Sequence, residues 1–326
     1  MPCRSQPLIH VLCGVLLALA SVQAAAEPAF PSKAIRILVG APAGGSNDIF
    51  ARSIGQHLNR AWSQPVIVDN RPGASQMLAA ELMAKSPPDG HTLYVTSSTY
   101  TTAAAMRSKL PFDPVNDVAG VTLLASGPMV LVVHPSLPVK TTKDLIAIAR
   151  AKPGELNYTS SGVGGINHMA MEVLKSATKI DVVHVPHKGM SPAITDLMAG
   201  NVQILIVSLP SVSAQMQSGR LRAVAVTTAK RSAFVPQLPT IAESGVPGYD
   251  VSLWWGLFAP GKTPQPVLDQ LNREIHKAMA APQMKKLFAD FGAEASPTTP
   301  EGLRTLTKQA IAQWGEVIKT AHIPTE

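Results

Sequence analysis

Cysteine is nearly absent. The 326-residue chain carries two, Cys3 and Cys13. Both fall in a leader-like N-terminus, so a body that loses it has no thiol for a disulfide or a nucleophile. A strong charge of one sign is missing as well. Twenty-eight Lys and Arg stand against 21 Asp and Glu, a formal +7 spread along the chain. No dense basic block interleaved with aromatics occurs, which argues against nucleic acid as a partner. The mild positive balance suits an anionic small molecule. Beyond the leader, no apolar run approaches the roughly 18 residues of a membrane-spanning helix. No Gly-x-Ser-x-Gly elbow is present, and with no free cysteine an enzyme is not expected.

The leader has the parts of a secretory signal. Arg4 supplies the positive start, 8–20 is apolar apart from His10 and Gly14, and Ala24-Ala25-Ala26 offers small residues for cleavage. Residues 1–26 are expected to be removed near Ala26, with Ala24 as the alternative site. That leaves 326 − 26 = 300 residues and, with Arg4 gone, a charge of 27 − 21 = +6. Cys13 is not preceded by the small residues of a lipoprotein site. The mature chain is therefore expected to be periplasmic and soluble, without lipid or disulfide.

What is present is a pair of glycine-rich helix openings, about 120 residues apart. The first, Ala41-Pro42-Ala43-Gly44-Gly45-Ser46-Asn47-Asp48, follows the apolar run 35–39. The second is Thr159-Ser160-Ser161-Gly162-Val163-Gly164-Gly165-Ile166-Asn167. Each reads as strand, turn and helix N-terminus. Such a terminus presents unpaired N–H groups and the positive end of a helix dipole, and it binds anions. Two of them suggest a ligand held between two lobes.

The pattern along the chain is α/β. Strands are expected at 35–39, 66–68 and 92–97, with helices at 46–61 and 76–84 between them. A second series follows: strand 129–133, helix 142–151, strand 156–159, helix 165–176, strand 181–185, helix 192–199, strand 202–207, a short helix at 212–217, and strand 221–226. Strand 252–259 returns, and helices at 266–280, 284–291 and 301–321 finish the chain. Short β-branched runs between helices argue for mostly parallel sheets covered on both faces. The last helices lack a sheet of their own and are expected to pack on the first lobe. This gives a two-lobed α/β fold: lobe 1 at 27–124 plus 228–326, lobe 2 at 125–227. Crossovers near 123–127 and 227–233 would form a hinge.

These residues, taken in order, resemble the extracytoplasmic solute receptors of tripartite tricarboxylate transporters, the Bug receptors. The resemblance runs through Pro31-Ser32-Lys33, Gly44-Gly45-Ser46-Asn47-Asp48, Ala51-Arg52, Val68-Asp69-Asn70-Arg71-Pro72-Gly73-Ala74 and Leu110-Pro111-Phe112-Asp113-Pro114. It continues in Asn157-Tyr158-Thr159-Ser160-Ser161-Gly162-Val163-Gly164 with His168 and Glu172, then Val185-Pro186-His187-Lys188-Gly189, Pro192-Ala193 and Asp196-Leu197-Met198-Ala199-Gly200. It closes with Leu238-Pro239-Thr240-Ile241-Ala242-Glu243-Ser244-Gly245 and Ala259-Pro260-Gly261-Lys262-Thr263-Pro264. The resemblance implies a periplasmic binding protein fold and delivery of a carboxylate to two integral-membrane transporter subunits. It implies that both loops hold carboxylates, often through water. His187 stands where the family usually has tyrosine. Val207 stands where many members carry an acid, which removes a partner for an amine and disfavours amino-acid ligands.

The expected ligand-binding set is Ala43, Gly44, Gly45, Ser46, Asn47, Ser97, Tyr100, Thr159, Ser160, Ser161, Gly164, Gly165, His168, Val207 and Trp255. Ser46 doubles as a candidate N-cap, and Asp48, being acidic, is expected to orient its loop rather than touch an anion. Gly162-Val163-Gly164 resembles a dinucleotide fragment, but Asn167 stands where its third glycine belongs. His168 and Glu172 have metal-ligand spacing without a third ligand. No metal and no cofactor are expected. Tyr100 and the pair Trp254-Trp255 are either core residues or flat platforms for a planar ligand. The expected ligand is a di- or tricarboxylate, aliphatic or aromatic, bound by a monomer. A sensory partner of a signalling receptor would share this chemistry, and a hydrolase is the remaining alternative.

Overall fold

The computed structural model describes residues 30–321 and 323–325. The signal segment expected over 1–26 lies outside the described residues. Among the described residues no helix is long and apolar enough to cross a membrane.

Each of the chain's two α/β series builds one flank of a continuous sheet. The β-branched run β1 (Ile35–Val39) pairs in parallel with β2 (Val66–Asn70) and with β3 (Thr92–Ser97). In the second series β5 (Asn157–Ser160) pairs in parallel with β6 (Val183–Pro186) and β7 (Ile204–Ser208). The centre is antiparallel. There β9 (Ser252–Pro260) joins β3 to β4 (Val118–Val133), and β4 continues onto β7 and β8 (Arg222–Val226). Each lobe is thus a mixed sheet, parallel on its flank only, rather than mostly parallel throughout. The reason is connectivity. A strand that runs from one half into the other, or returns from it, meets its neighbours from the opposite end.

The crossover is one long strand. β4 pairs with β9 as far as Pro128, then with β7 from Met129 and with β8 from Val130. The change of partner falls just after Ser126-Gly127-Pro128, where Gly127 leaves no room for a side chain. A Cβ there would lie 2.5 Å from the Gly292 carbonyl oxygen and 3.1 Å from Ala293 Cα.

The return crossing lies later than the sequence suggests. Val226 N–H donates to Pro239 O, Ile241 N–H donates to Val226 O, and Val251 N–H donates to Thr227 O. Tyr249 donates to the Ala170 carbonyl at 2.8 Å. Segment 228–251 is therefore bound to second-half elements, and the chain re-enters the first half at Ser252.

The helices cover both faces. Helix α1 (Ser46–Trp62) buries Phe50, Ala51, Ile54 and Leu58, the period expected of an amphipathic helix. Helix 142–151 opens on Thr141, whose hydroxyl and the Asp144 carboxylate complete a capping box. The long C-terminal helix (Pro300–Thr320) packs on β4 in the first half, as expected for helices without their own sheet. One helix, Thr99–Ala105, has no counterpart among the elements expected from the sequence. Its Thr-rich sequence has poor helix propensity. Burial of Tyr100, Ala103 and Ala104 against β9 and the C-terminal helix forms it instead.

Candidate functional site

The first loop ends where α1 begins. Gly45, not Ser46, occupies the N-cap position, with extended backbone and no side-chain cap. The first backbone bond of the helix runs from Ile49 N–H to Gly45 O. The amides of Ser46, Asn47 and Asp48 lie ahead of that ladder, at the positive end of a 17-residue helix. Gly44 has φ +84°, a conformation glycine adopts freely. Its N–H is already used: it donates to Asp48 Oδ2 at 2.9 Å. Burial alone would raise the Asp48 carboxyl. Arg52, the Gly44 N–H and Asn70 outweigh it and hold the acid below its usual range. Asp48 is thus an anionic brace for the loop. Ala43, Gly44 and Gly45 are exposed, and Ser46 is half-buried.

Ser46 Oγ accepts from Trp255 Nε1 at 3.0 Å. Trp255 is buried against Phe50, ring centroids 5.2 Å apart and near-perpendicular. It supports the loop from below rather than offering a face. Tyr100 is also core. It is fully buried against Tyr94 and Phe258, and its hydroxyl donates to Pro114 O at 2.7 Å. Val207 lies wholly buried in an apolar cluster with Val130 and Leu205. The structure does not bring Tyr100 or Val207 to the loops.

A residue absent from the expected set joins the loop to the sheet. Gln76 Oε1 accepts from Asn47 Nδ2 at 3.1 Å and from Thr96 Oγ1 at 2.5 Å. Gln76 Nε2 donates to Ser97 Oγ at 3.1 Å. Asn47 and Ser97 thereby share one polar network at the C-terminal end of β3, where ligands of open α/β sheets bind.

The second loop is more enclosed. Gly164 and Gly165 are buried, and helix α5 (Ile166–Thr178) starts with its first amide near the other half, Ile166 N–H lying 3.4 Å from Thr99 Oγ1. Gly164 N–H donates to His168 Nδ1 and Gly165 N–H to Gly162 O, both at 3.3 Å. Gly164 has φ +74°. Thr159 Oγ1 donates to Val185 O at 3.0 Å, and Ser161 Oγ donates to Asn167 Oδ1 at 3.2 Å. The rim that remains is Ser161, Gly162 and Val163. It touches the first half directly, because Ser75 Oγ donates to Val163 O at 2.8 Å. The two glycine loops therefore flank one junction between the halves.

Beneath this loop three rings are stacked. His184 lies between Tyr158 and His168, with centroid distances of 4.7 and 4.2 Å. His184 Nε2 is 2.7 Å from Ser160 Oγ. Tyr158 donates to Glu172 Oε1 at 2.5 Å, and Lys175 also bonds that carboxylate at 2.7 Å. Burial drives both histidines below the ordinary range. His168 and the Lys175 ammonium lower His184 further, to about 3. His168 thus serves as an acceptor that holds the loop. Glu172 is engaged by Tyr158 and Lys175, and no cluster able to hold a metal occurs among the described residues.

The histidine stack sets a pH dependence. Between pH 6.5 and about 3 the unfolded chain holds the proton on His184 and the folded chain does not. Stability is then complete above pH 6.5 and is lost as pH falls through that window. Thermal denaturation from pH 7.5 to 4 is expected to show a falling Tm. His184→Gln, which keeps a hydrogen-bonding group near Ser160, is expected to flatten the slope. An unchanged slope in the variant would remove His184 from this role.

Residues 50–323 match the sequence profile of the tripartite tricarboxylate transporter family receptor. The chain is 37% identical over 312 residues to the UPF0065 protein in the tcbD-tcbE intergenic region of Pseudomonas sp. (strain P51), covering 95% of this chain and 93% of the relative. Among solved structures it is similar to R. palustris Rpa4515 with adipate, at TM-score 0.83 and 34% identity over 90% of this chain and 98% of that one. It is also similar to MatC (Rpa3494) from Rhodopseudomonas palustris with bound malate, at TM-score 0.81 and 29% identity over 89% and 100% of the two chains.

Proposed function

Because this chain belongs to the tripartite tricarboxylate transporter receptor family, we propose that it is an exported, periplasmic solute receptor that captures an organic dicarboxylate between its halves and delivers it to membrane transporter subunits. The observation that carries the reading is the open N-terminus of α1, whose amides from Ser46 to Asp48 precede the first helical hydrogen bond. Neutral donors at a helix end hold a carboxylate without the cost of burying a lysine or arginine. Two relatives of known structure are described with dicarboxylates, adipate and malate. The binding set is Gly45, Ser46, Asn47 and Ser97 on one side, with Ser161, Gly162 and Val163 on the other.

The halves close by bending at Ser126-Gly127-Pro128 and at Val251-Ser252, the two places where the chain changes sheet. The receptor is non-catalytic. Ser160 and His184 form a Ser–His contact, yet Ser160 is fully buried and His184, lowered to about 3, is too weak a base to take its proton at neutral pH. A thermal-shift screen of mono-, di- and tricarboxylates tests the reading. A dicarboxylate is expected to raise Tm by mass action. A rise with a sugar or an amide and none with any carboxylate would sink it.

A further inference from the structure

Three consecutive residues without the freedom of glycine, Ala74, Ser75 and Gln76, have left-handed backbones, with φ of 46°, 50° and 76°. Side chains in this region are strained, and glycine would relieve the strain. The fold also makes space for the last of them. Gly40 is a glycine where any Cβ would come within 2.6 Å of Gln76 Cβ. The chain thus carries a strained glutamine at a turn that would suit glycine, and a neighbouring glycine accommodates it.

The Gln76 amide has a fixed orientation. Its oxygen stands 2.5 Å from Thr96 Oγ1, a separation that fits O–H···O and is too short for N–H···O. The nitrogen therefore faces Ser97 Oγ at 3.1 Å. Ser97 accepts this bond, and among the described residues its hydroxyl donates to no other group. Its proton is left for a ligand. Ser46 has the same polarity, since its oxygen accepts from Trp255 Nε1. By contrast, the Ser161 hydroxyl proton is directed to Asn167.

Resting on the carboxylate reading above, we propose that Gln76 is a positioning residue that sets specificity: by donating to Ser97 Oγ it leaves the Ser97 proton directed at the ligand, so the site prefers a carboxylate over its neutral amide. A carboxylate oxygen only accepts, so it satisfies such a donor. An amide NH2 presented at the same place offers no acceptor, so the Ser97 proton would be left without one. The discrimination resides in proton direction, not in charge. Gln76 acts through Ser97 and through Asn47, whose side-chain nitrogen it also holds.

The test is calorimetry with linear dicarboxylates from malonate to adipate and their monoamides, on wild type, Q76G, Q76E, S97A and Q76G/S97A. If wild type binds none of the dicarboxylates, the functional reading fails first, and this proposal with it. For the dicarboxylate that binds, Q76G is expected to cut the preference over the monoamide by about 10-fold, the value of one charge-assisted hydrogen bond. Its Tm is expected to fall modestly, because relief of the left-handed strain is offset by loss of the bonds to Asn47, Thr96 and Ser97. Q76E, whose carboxylate would draw the Ser97 proton inward, is expected to lose about 100-fold in dicarboxylate affinity. S97A should lose the same preference as Q76G, and the double variant no more than either. An unchanged dicarboxylate-to-monoamide ratio in Q76G, or additive losses in the double variant, would overturn the proposal. A purely structural role would lower Tm and leave that ratio alone.

Discussion

On the dicarboxylate reading, a Gly45→Val receptor is expected to fold like the wild type and to bind the ligand on the order of 100-fold more weakly, the loss of one or two charge-assisted hydrogen bonds. The structure makes this a clean substitution. Gly45 has φ −81°, open to any residue, and a Cβ there would meet only the Pro42 carbonyl oxygen, at 3.7 Å. What valine adds is bulk at the mouth of α1, beside the amides that precede the helical ladder. Gly164 offers no such clean test. Its φ is +74°, and a Cβ there would lie 3.4 Å from Met106 Cγ, so a side chain would strain the fold as well as the site. Calorimetry beside thermal denaturation checks the prediction. Full affinity in Gly45→Val would show that ligand does not approach this terminus.

Gly127→Val is the opposite case, a large loss of stability. Its Cβ would lie 2.5 Å from a backbone oxygen, and backbone cannot swing aside as a side-chain tip can. Either β4 or the strand pair with Glu294-Ala295 must move. Overpacking of this kind costs roughly 3 kcal/mol, and Tm in a chain of this size falls by on the order of 5–10 °C. β4 changes partners beside this glycine, so on the hinge proposal closure is expected to be impaired too. Gly315→Ala serves as the control. Gly315 lies inside the C-terminal helix with nothing near its absent Cβ. There alanine is expected to stabilise by about 0.5–1 kcal/mol. Equal effects of the two substitutions would contradict the steric account.

Periodicity in the sequence was enough to place β1, α1, the capped helix at 142–151 and the three C-terminal helices. Those elements are local: an apolar stripe, a cap and a stop define each one. The antiparallel centre was not legible, because it depends on where a crossing strand lands. Both glycine openings were legible, since Gly and Ser clusters between strand and helix have few other uses. Their state of engagement was not. The local bond from Gly44 N–H to Asp48 fits the loop-orienting role the acid suggests, whereas the approach of Thr99 from the other half to Ile166 depends on tertiary contact. Tyr100 and Trp255 drew attention because aromatics are scarce here, yet large rings go first to the core. Gln76 gave no warning at all. A left-handed turn is readable when it is written in glycine, and here it is written in Ala-Ser-Gln.

On the reading proposed above, a carboxylate is held at the N-terminus of α1 and the halves close around it. The most direct measurement is calorimetric titration of the mature chain with adipate, malate and other di- and tricarboxylates, alongside neutral amides and sugars. Saturable one-to-one binding of at least one dicarboxylate is expected, and none of the neutral compounds. Binding of an amide or a sugar with no response to any carboxylate would contradict it.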